Sequence, residues 1–170
     1  MTQLSILNPA TGEKLADVLA DDAASVAHKA QRARAAQPAW AKTPLAERKA
    51  CIERFRAGVV RETAQLAEIM TRETGKPIRM SQSELAGLLP RLDFFLAMVE
   101  AVIAPETVYD EAGMMERIEH APLGVLVNIS AWNYPWFVGS NVIVPALLTG
   151  NAVLYKPSEY ATLTGLEIAR

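Results

Sequence analysis

An α/β fold, with N-terminal helices followed by the start of a parallel sheet, is predicted by three features of these 170 residues. Apolar residues recur at helical spacing through most of residues 43–103. The run from Leu123 to Ile129 is apolar on both faces of a strand, as a strand buried inside a parallel sheet requires. A helix-forming segment follows at once and leads into a second short apolar run, which makes a strand, crossover helix and parallel strand.

Taken in order, Leu4 to Leu7 and Lys14 to Leu19 are strand candidates around Asn8-Pro-Ala-Thr-Gly-Glu13, so a small hairpin or edge is expected. Asp21 or Asp22 can cap a helix through Ala23 to Gln37, with Val26, Ala30 and Ala33 on one face and Pro38 closing it. Thr43-Pro44 supplies an N-cap and a first-turn proline for a second helix. Its Ile52, Phe55, Val59, Leu66 and Ile69 recur until Gly75 and Pro77 stop the pattern. Ser81 with Glu84 offers a capping box for a third helix, whose apolar face is Leu85, Leu88, Leu92, Phe95, Val99 and Val102, with a kink or restart at Pro90. After Pro105 the period changes, and Met114 to His120 alternates as an extended segment. Leu123 to Ile129, Pro135 to Leu148 and Ala152 to Tyr155 form the strand, helix, strand unit, with Gly150 ending the helix and Leu163 to Arg170 opening another. A two-stranded parallel pair is marginal by itself, and Leu163 and Leu166 have nothing later to cover them. The chain is therefore expected to be the N-terminal part of a larger protein.

With 51% hydrophobic and 21% charged residues, the chain expects a core and not disorder. A net charge of −2 with the two signs interspersed offers no basic stripe for nucleic acid or an anionic bilayer. No apolar run reaches the roughly 20 residues of a spanning helix, and the first residues do not form a secretory leader. A cytoplasmic protein is the expectation, with neither nucleic acid nor membrane as a partner. Cys51 is the single cysteine, and His28 and His120 the only histidines, so no metal site is expected. Cys51 falls beside Ile52 and Phe55 in the helical pattern and reads as a half-buried structural cysteine. Thr74-Gly75-Lys76-Pro77 lacks the earlier glycine of a phosphate loop and reads as a helix terminator, and no Gly-x-Gly-x-x-Gly occurs anywhere.

The residues that can carry chemistry follow the two apolar runs. Trp132-Asn133-Tyr134-Pro135 leaves the carboxyl end of the first strand, where ligands bind in open α/β sheets. Asn133 there is either a neutral amide able to stabilise an oxyanion or a cap for the helix begun by Tyr134-Pro135, and the tetrapeptide alone weighs the two about equally. Lys156-Pro157-Ser158-Glu159 leaves the second strand in the same way, so both turns should share one edge of the sheet. A lysine donor and a carboxylate acceptor at that edge suit the vicinal hydroxyls of a ribose. By itself the pair would read as a surface ion pair of small worth.

Six segments together resemble the aldehyde dehydrogenase superfamily: Asn8-Pro-Ala-Thr-Gly-Glu13, Glu73-Thr-Gly-Lys-Pro77, Pro122-Leu-Gly124, the Trp132 to Pro135 turn, Pro145-Ala-Leu-Leu-Thr-Gly-Asn151 and the Lys156 to Glu159 turn. They stand in the family's order and spacing and cover nearly the whole chain. The resemblance implies residues 1–170 as a partial, Rossmann-like cofactor-binding domain, with about residues 108–121 similar to part of an oligomerisation hairpin and the catalytic domain absent. It implies NAD(P)+-dependent oxidation of an aldehyde to a carboxylic acid through a cysteine thiohemiacetal. Asn133 would be the oxyanion-hole amide, and Lys156 and Glu159 would hold the adenosine ribose with Ser158 nearby. Ile129, Ser130, Ala131 and Trp132 would lie along the cofactor, and Tyr134, Val138 and Asn141 would face the aldehyde channel. Glu159 would favour NAD over NADP, because a carboxylate facing the 2′-position repels a phosphate.

The departures carry expectations too. The family's nucleophilic cysteine and general-base glutamate lie beyond the lysine turn, and Cys51 does not match the nucleophile's motif, so the 170 residues alone are expected to be inactive. Val142 stands where many members have lysine. The parent enzyme is expected to be a homodimer or homotetramer. The competing reading is a non-catalytic truncated chain that pairs with a full-length homologue; a helical scaffold built from residues 21–103 leaves both turns unexplained.

Overall fold

The computed structural model describes residues 2–170. β1 (Gln3–Leu7) and β2 (Lys14–Leu19) form the expected antiparallel hairpin. Three long helices follow, α1 (Ala23–Lys42), α2 (Leu45–Thr74) and α3 (Ile78–Ile103). An antiparallel hairpin, β3 (Glu106–Glu111) and β4 (Met114–Ile118), leads to the parallel unit of β5 (Val125–Ile129), α4 (Pro135–Leu148) and β6 (Ala152–Lys156). A 3-10 turn at Glu159–Ala161 then enters α5 (Thr162–Ala169).

The core lies where α2, α3, α4 and α5 meet. Ile52, Val59, Leu66 and Met70 of α2 face Leu85, Leu88, Leu92 and Val99 of α3, and Trp136, Val144, Leu148 and Ile168 close the cluster. Phe55 and Trp136 stack with ring centroids 6.3 Å apart. Each such buried side chain contributes about 1.5–3 kcal/mol relative to exposure, so this helical layer holds the fold. The β5–β6 pair is contacted by both α1 and α4.

Several expectations are corrected here. Pro38 does not close α1, which continues to Lys42. A proline inside a helix costs about 3 kcal/mol, and tertiary bonds hold this stretch in place: Gln37 Nε2 donates to the Gly150 carbonyl at 3.0 Å and Trp40 Nε1 to that of Leu147 at 2.9 Å. Of the two expected candidates it is Asp22 that caps α1, as anticipated, in a capping box with Ser25. Thr43 consequently belongs to the end of α1, where its hydroxyl donates back to Ala39, and α2 starts after Pro44 with no side-chain cap. Ser81 and Glu84 form no capping box, because α3 already starts at Ile78 and places both inside the helix, and α3 passes through Pro90 without ending. Val26 and Val102, expected on apolar faces, are exposed. β5 is not buried on both faces: Val127 and Ile129 are 62% and 73% exposed, and β6 is its single strand neighbour among the described residues. The hairpin expected around residues 108–121 is formed by β3 and β4, begins earlier, at Glu106, and has all its residues exposed.

Candidate functional site

The parallel register places Ile129 beside Lys156, and Ser130 N–H donates to the Lys156 carbonyl at 3.0 Å. Both chemistry-bearing turns therefore leave the sheet at one edge. Ile129, Trp132, Asn133, Lys156 and Glu159 are exposed there, while Ser130 and Ser158 are buried and Ala131 is half-buried. Trp132 packs edge-on against Tyr160 at 5.8 Å between centroids.

Lys156 Nζ donates to Glu159 at 3.2 Å, and both side chains are more than half exposed. The backbone N–H of Glu159 and the Lys156 ammonium hold the Glu159 carboxyl below the usual carboxylate range. The Ser158 hydroxyl accepts from Tyr160 N–H and so shapes the turn.

Asn133 does not cap α4. Its Oδ1 accepts from the adjacent Tyr134 N–H at 3.2 Å, and its Nδ2 has no protein partner among the described residues. The cap comes from another helix: Glu84 of α3 accepts from Trp136 N–H at 2.9 Å and Phe137 N–H at 3.2 Å. An anionic group suits a helix N-terminus, where N–H groups lack partners and the dipole is positive. With the cap supplied by Glu84, the Asn133 amide is left as a donor at the mouth of the turn.

Lys76 was the residue missed by sequence reasoning. It follows Gly75, the left-handed C-cap of α2 with φ 72°, and its Nζ donates to Glu84 Oε2 at 2.5 Å and to the Asn133 carbonyl at 2.6 Å. Its ammonium also lies 4.4 Å from the centre of the Tyr134 ring. The available signal was Glu84 itself, a carboxylate on the stripe of Ser81, Leu85 and Leu88, where a charge is almost never buried without a partner.

Tyr134, Val138 and Asn141 fall on one face of α4, as their spacing requires. Tyr134 is exposed and the other two are half-buried, and Val142 beside them is partly exposed. Cys51 is half-buried on α2, next to Ile52 of the core, and belongs to neither turn. Beneath the turns, Tyr155 is half-buried with its hydroxyl enclosed close to Ser130, and burial raises its phenol above the ordinary value.

Among the described residues, no helix is long and apolar enough to cross a membrane, and no three His, Cys, Asp or Glu side chains are grouped to hold a metal.

A sequence profile of the aldehyde dehydrogenase family matches residues 1–170. N-succinylglutamate 5-semialdehyde dehydrogenase of Erwinia tasmaniensis is 40% identical over 162 residues, which are 95% of this chain and 32% of that protein. The structure of PnpE in complex with nicotinamide adenine dinucleotide superposes with a TM-score of 0.92 at 28% identity, covering 99% of this chain and 34% of the other. NADP-dependent glyceraldehyde-3-phosphate dehydrogenase from Bacillus halodurans, complexed with NADP, gives a TM-score of 0.92 at 26% identity over 99% and 36%. The chain spans about a third of the length of the relatives it matches.

Proposed function

Because the chain belongs to the aldehyde dehydrogenase family, we propose that its two turns form part of the site for NAD(P)+-dependent oxidation of an aldehyde to a carboxylic acid. The observation that carries this reading is the unclaimed Asn133 Nδ2 on the same sheet edge as the exposed Lys156–Glu159 pair. These residues fit a dinucleotide: a cation and a carboxylate stand ready for ribose hydroxyls, and Ile129, Ser130, Ala131 and Trp132 line the approach beside them. NAD(P)+ when bound accepts the hydride.

The chain's own contribution is binding and charge stabilisation. Lys156 donates to, and Glu159 accepts from, the ribose; Ser158 holds the turn that presents them. The Glu159 carboxylate, ionised well into the acidic range, disfavours a 2′-phosphate, so NAD+ is the preferred form and NADP+ the weaker one. Asn133 Nδ2 donates to the oxygen of the aldehyde as negative charge develops on it during attack by a cysteine thiolate that the reading places outside these residues, along with the base. Tyr134, Val138 and Asn141 line the approach of the aldehyde. The β3–β4 hairpin, exposed throughout and carrying Val108, Tyr109, Met115 and Ile118, serves as an assembly arm for a homodimer or homotetramer.

The relatives named for N-succinylglutamate 5-semialdehyde support an acidic semialdehyde as the first substrate to try. The test is turnover with NAD+ and that aldehyde in the protein its gene encodes, with and without Asn133→Ala. The substitution is expected to lower kcat by about 10²- to 10³-fold with a smaller effect on cofactor affinity; unchanged kcat would refute the oxyanion role. Residues 1–170 alone are expected to give no turnover. If the encoded protein is itself inactive and co-purifies with a longer homologue, the non-catalytic pairing reading replaces this one.

A further inference from the structure

We propose that Lys76, anchored by Glu84, is a positioning residue that fixes the direction of the Asn133 amide. This inference rests on the oxyanion role given to Asn133 above. The pair grips the turn on the C-terminal side of Asn133, at its carbonyl and at the start of α4. Lys76 Nζ holds the Asn133 carbonyl at 2.6 Å, while the same Glu84 carboxylate that binds Lys76 at 2.5 Å holds the N–H groups of Trp136 and Phe137 through its other oxygen. The Glu84 side chain is fully buried and that of Lys76 12% exposed, so water competes little for the bond between them. Lys76 also lies over the Tyr134 ring, which fixes the residue after Asn133.

The consequence is geometric. The Asn133 side chain makes one local bond, from Tyr134 N–H to its Oδ1, and nothing else in the described residues restrains the outward Nδ2. Its aim depends on the peptide plane that follows Asn133, which Lys76 holds through the carbonyl, and on the helix start beyond it, which Glu84 holds. A donor must sit about 2.7–3.1 Å from the developing oxyanion, and a displacement of 1 Å in such a group can cost on the order of 10²-fold in rate. The helix-terminating Gly75 brings Lys76 to this position, which links the end of α2 to the chemistry at the start of α4.

The experiment compares kcat and KM in the encoded protein for Lys76→Met, Asn133→Ala and the double variant. Lys76→Met is expected to lower kcat by roughly 10- to 10²-fold, with KM for NAD+ changed less than about twofold because the ribose turn is separate. The double variant is expected to be no slower than Asn133→Ala, since Lys76 acts only through that amide. Wild-type kcat in Lys76→Met, or losses that multiply in the double variant, would overturn the inference. If Lys76→Met does not accumulate folded, Glu84→Gln replaces it. That side chain keeps an oxygen for Trp136 and Phe137 but loosens Lys76, and the same non-multiplying pattern with Asn133→Ala is required of it. Unchanged kcat in Asn133→Ala, or no turnover in the unsubstituted protein, would instead fell the function reading.

Discussion

Glu73 and Glu84 are both buried carboxylates that reach across to the N-terminus of a later helix, yet only one of them has a cation. Glu73, in the last turn of α2, accepts from Leu163 N–H at 2.7 Å and from Thr164 N–H and Oγ1 at 2.8 and 2.9 Å, so it caps α5 with neutral donors alone. Glu84 caps α4 and also binds the Lys76 ammonium. The difference teaches that one device serves two ends. At α5 the carboxylate and the helix dipole suffice to pin a helix. At α4 the added cation extends the cap outward to the Asn133 carbonyl, which puts the site under the control of the core.

The largest effect that would sharpen this contrast is on Glu84→Ala. It strips the cap from α4 and leaves the nearly buried Lys76 ammonium unpaired, so a loss of about 3–5 kcal/mol is expected, read by urea denaturation. Glu73→Ala leaves three donors unsatisfied but no orphan charge, and about 2–3 kcal/mol is expected. An equal or larger loss at Glu73 would break the distinction. Adding Lys76→Met to Glu84→Ala removes the orphan charge and should restore about 1–2 kcal/mol; a further loss would mean that Lys76 contributes chiefly by packing.

A smaller effect reaches Tyr155. Burial comes first in raising its phenol above the ordinary value of about 10, and the Glu73 charge adds to the rise. The fold favours the neutral hydroxyl, so this contribution to stability is complete below about pH 10 and is lost as pH rises through the folded value. Tyr155→Phe should flatten that alkaline limb in denaturation series. Glu73→Gln should bring the Tyr155 midpoint down in a spectrophotometric titration, and an unmoved midpoint would show that the Glu73 charge is not felt there.

Local rules carried much of the architecture. The hairpin of residues 3–19, the 30-residue helix ended by Gly75, and the strand, helix, strand unit all follow from turn residues, a left-handed cap and apolar period. The rules failed where another segment supplied what the local sequence lacked. Pro38 is carried through a helix by bonds from Gln37 and Trp40 to the end of α4. The N-terminus of α4 takes its cap from Glu84, more than 50 residues away, so the local candidate Asn133 is released. β3 carries no buried residue, so hydrophobic alternation had little to report there, whereas the alternation of Met114 to His120 anticipated β4.

For the site, the sequence by itself determined which residue types stand at the two turns and that both turns leave parallel strands at one edge, because side-chain chemistry and the direction of a crossover are local properties. Which of two roles Asn133 is free to play, and which residue holds it, was decided only in three dimensions. A hydrogen-bond donor or acceptor can be claimed by any segment that the packing brings within about 3 Å, and it is the docking of α3 on α4 that brings Glu84, and with it Lys76, to the turn.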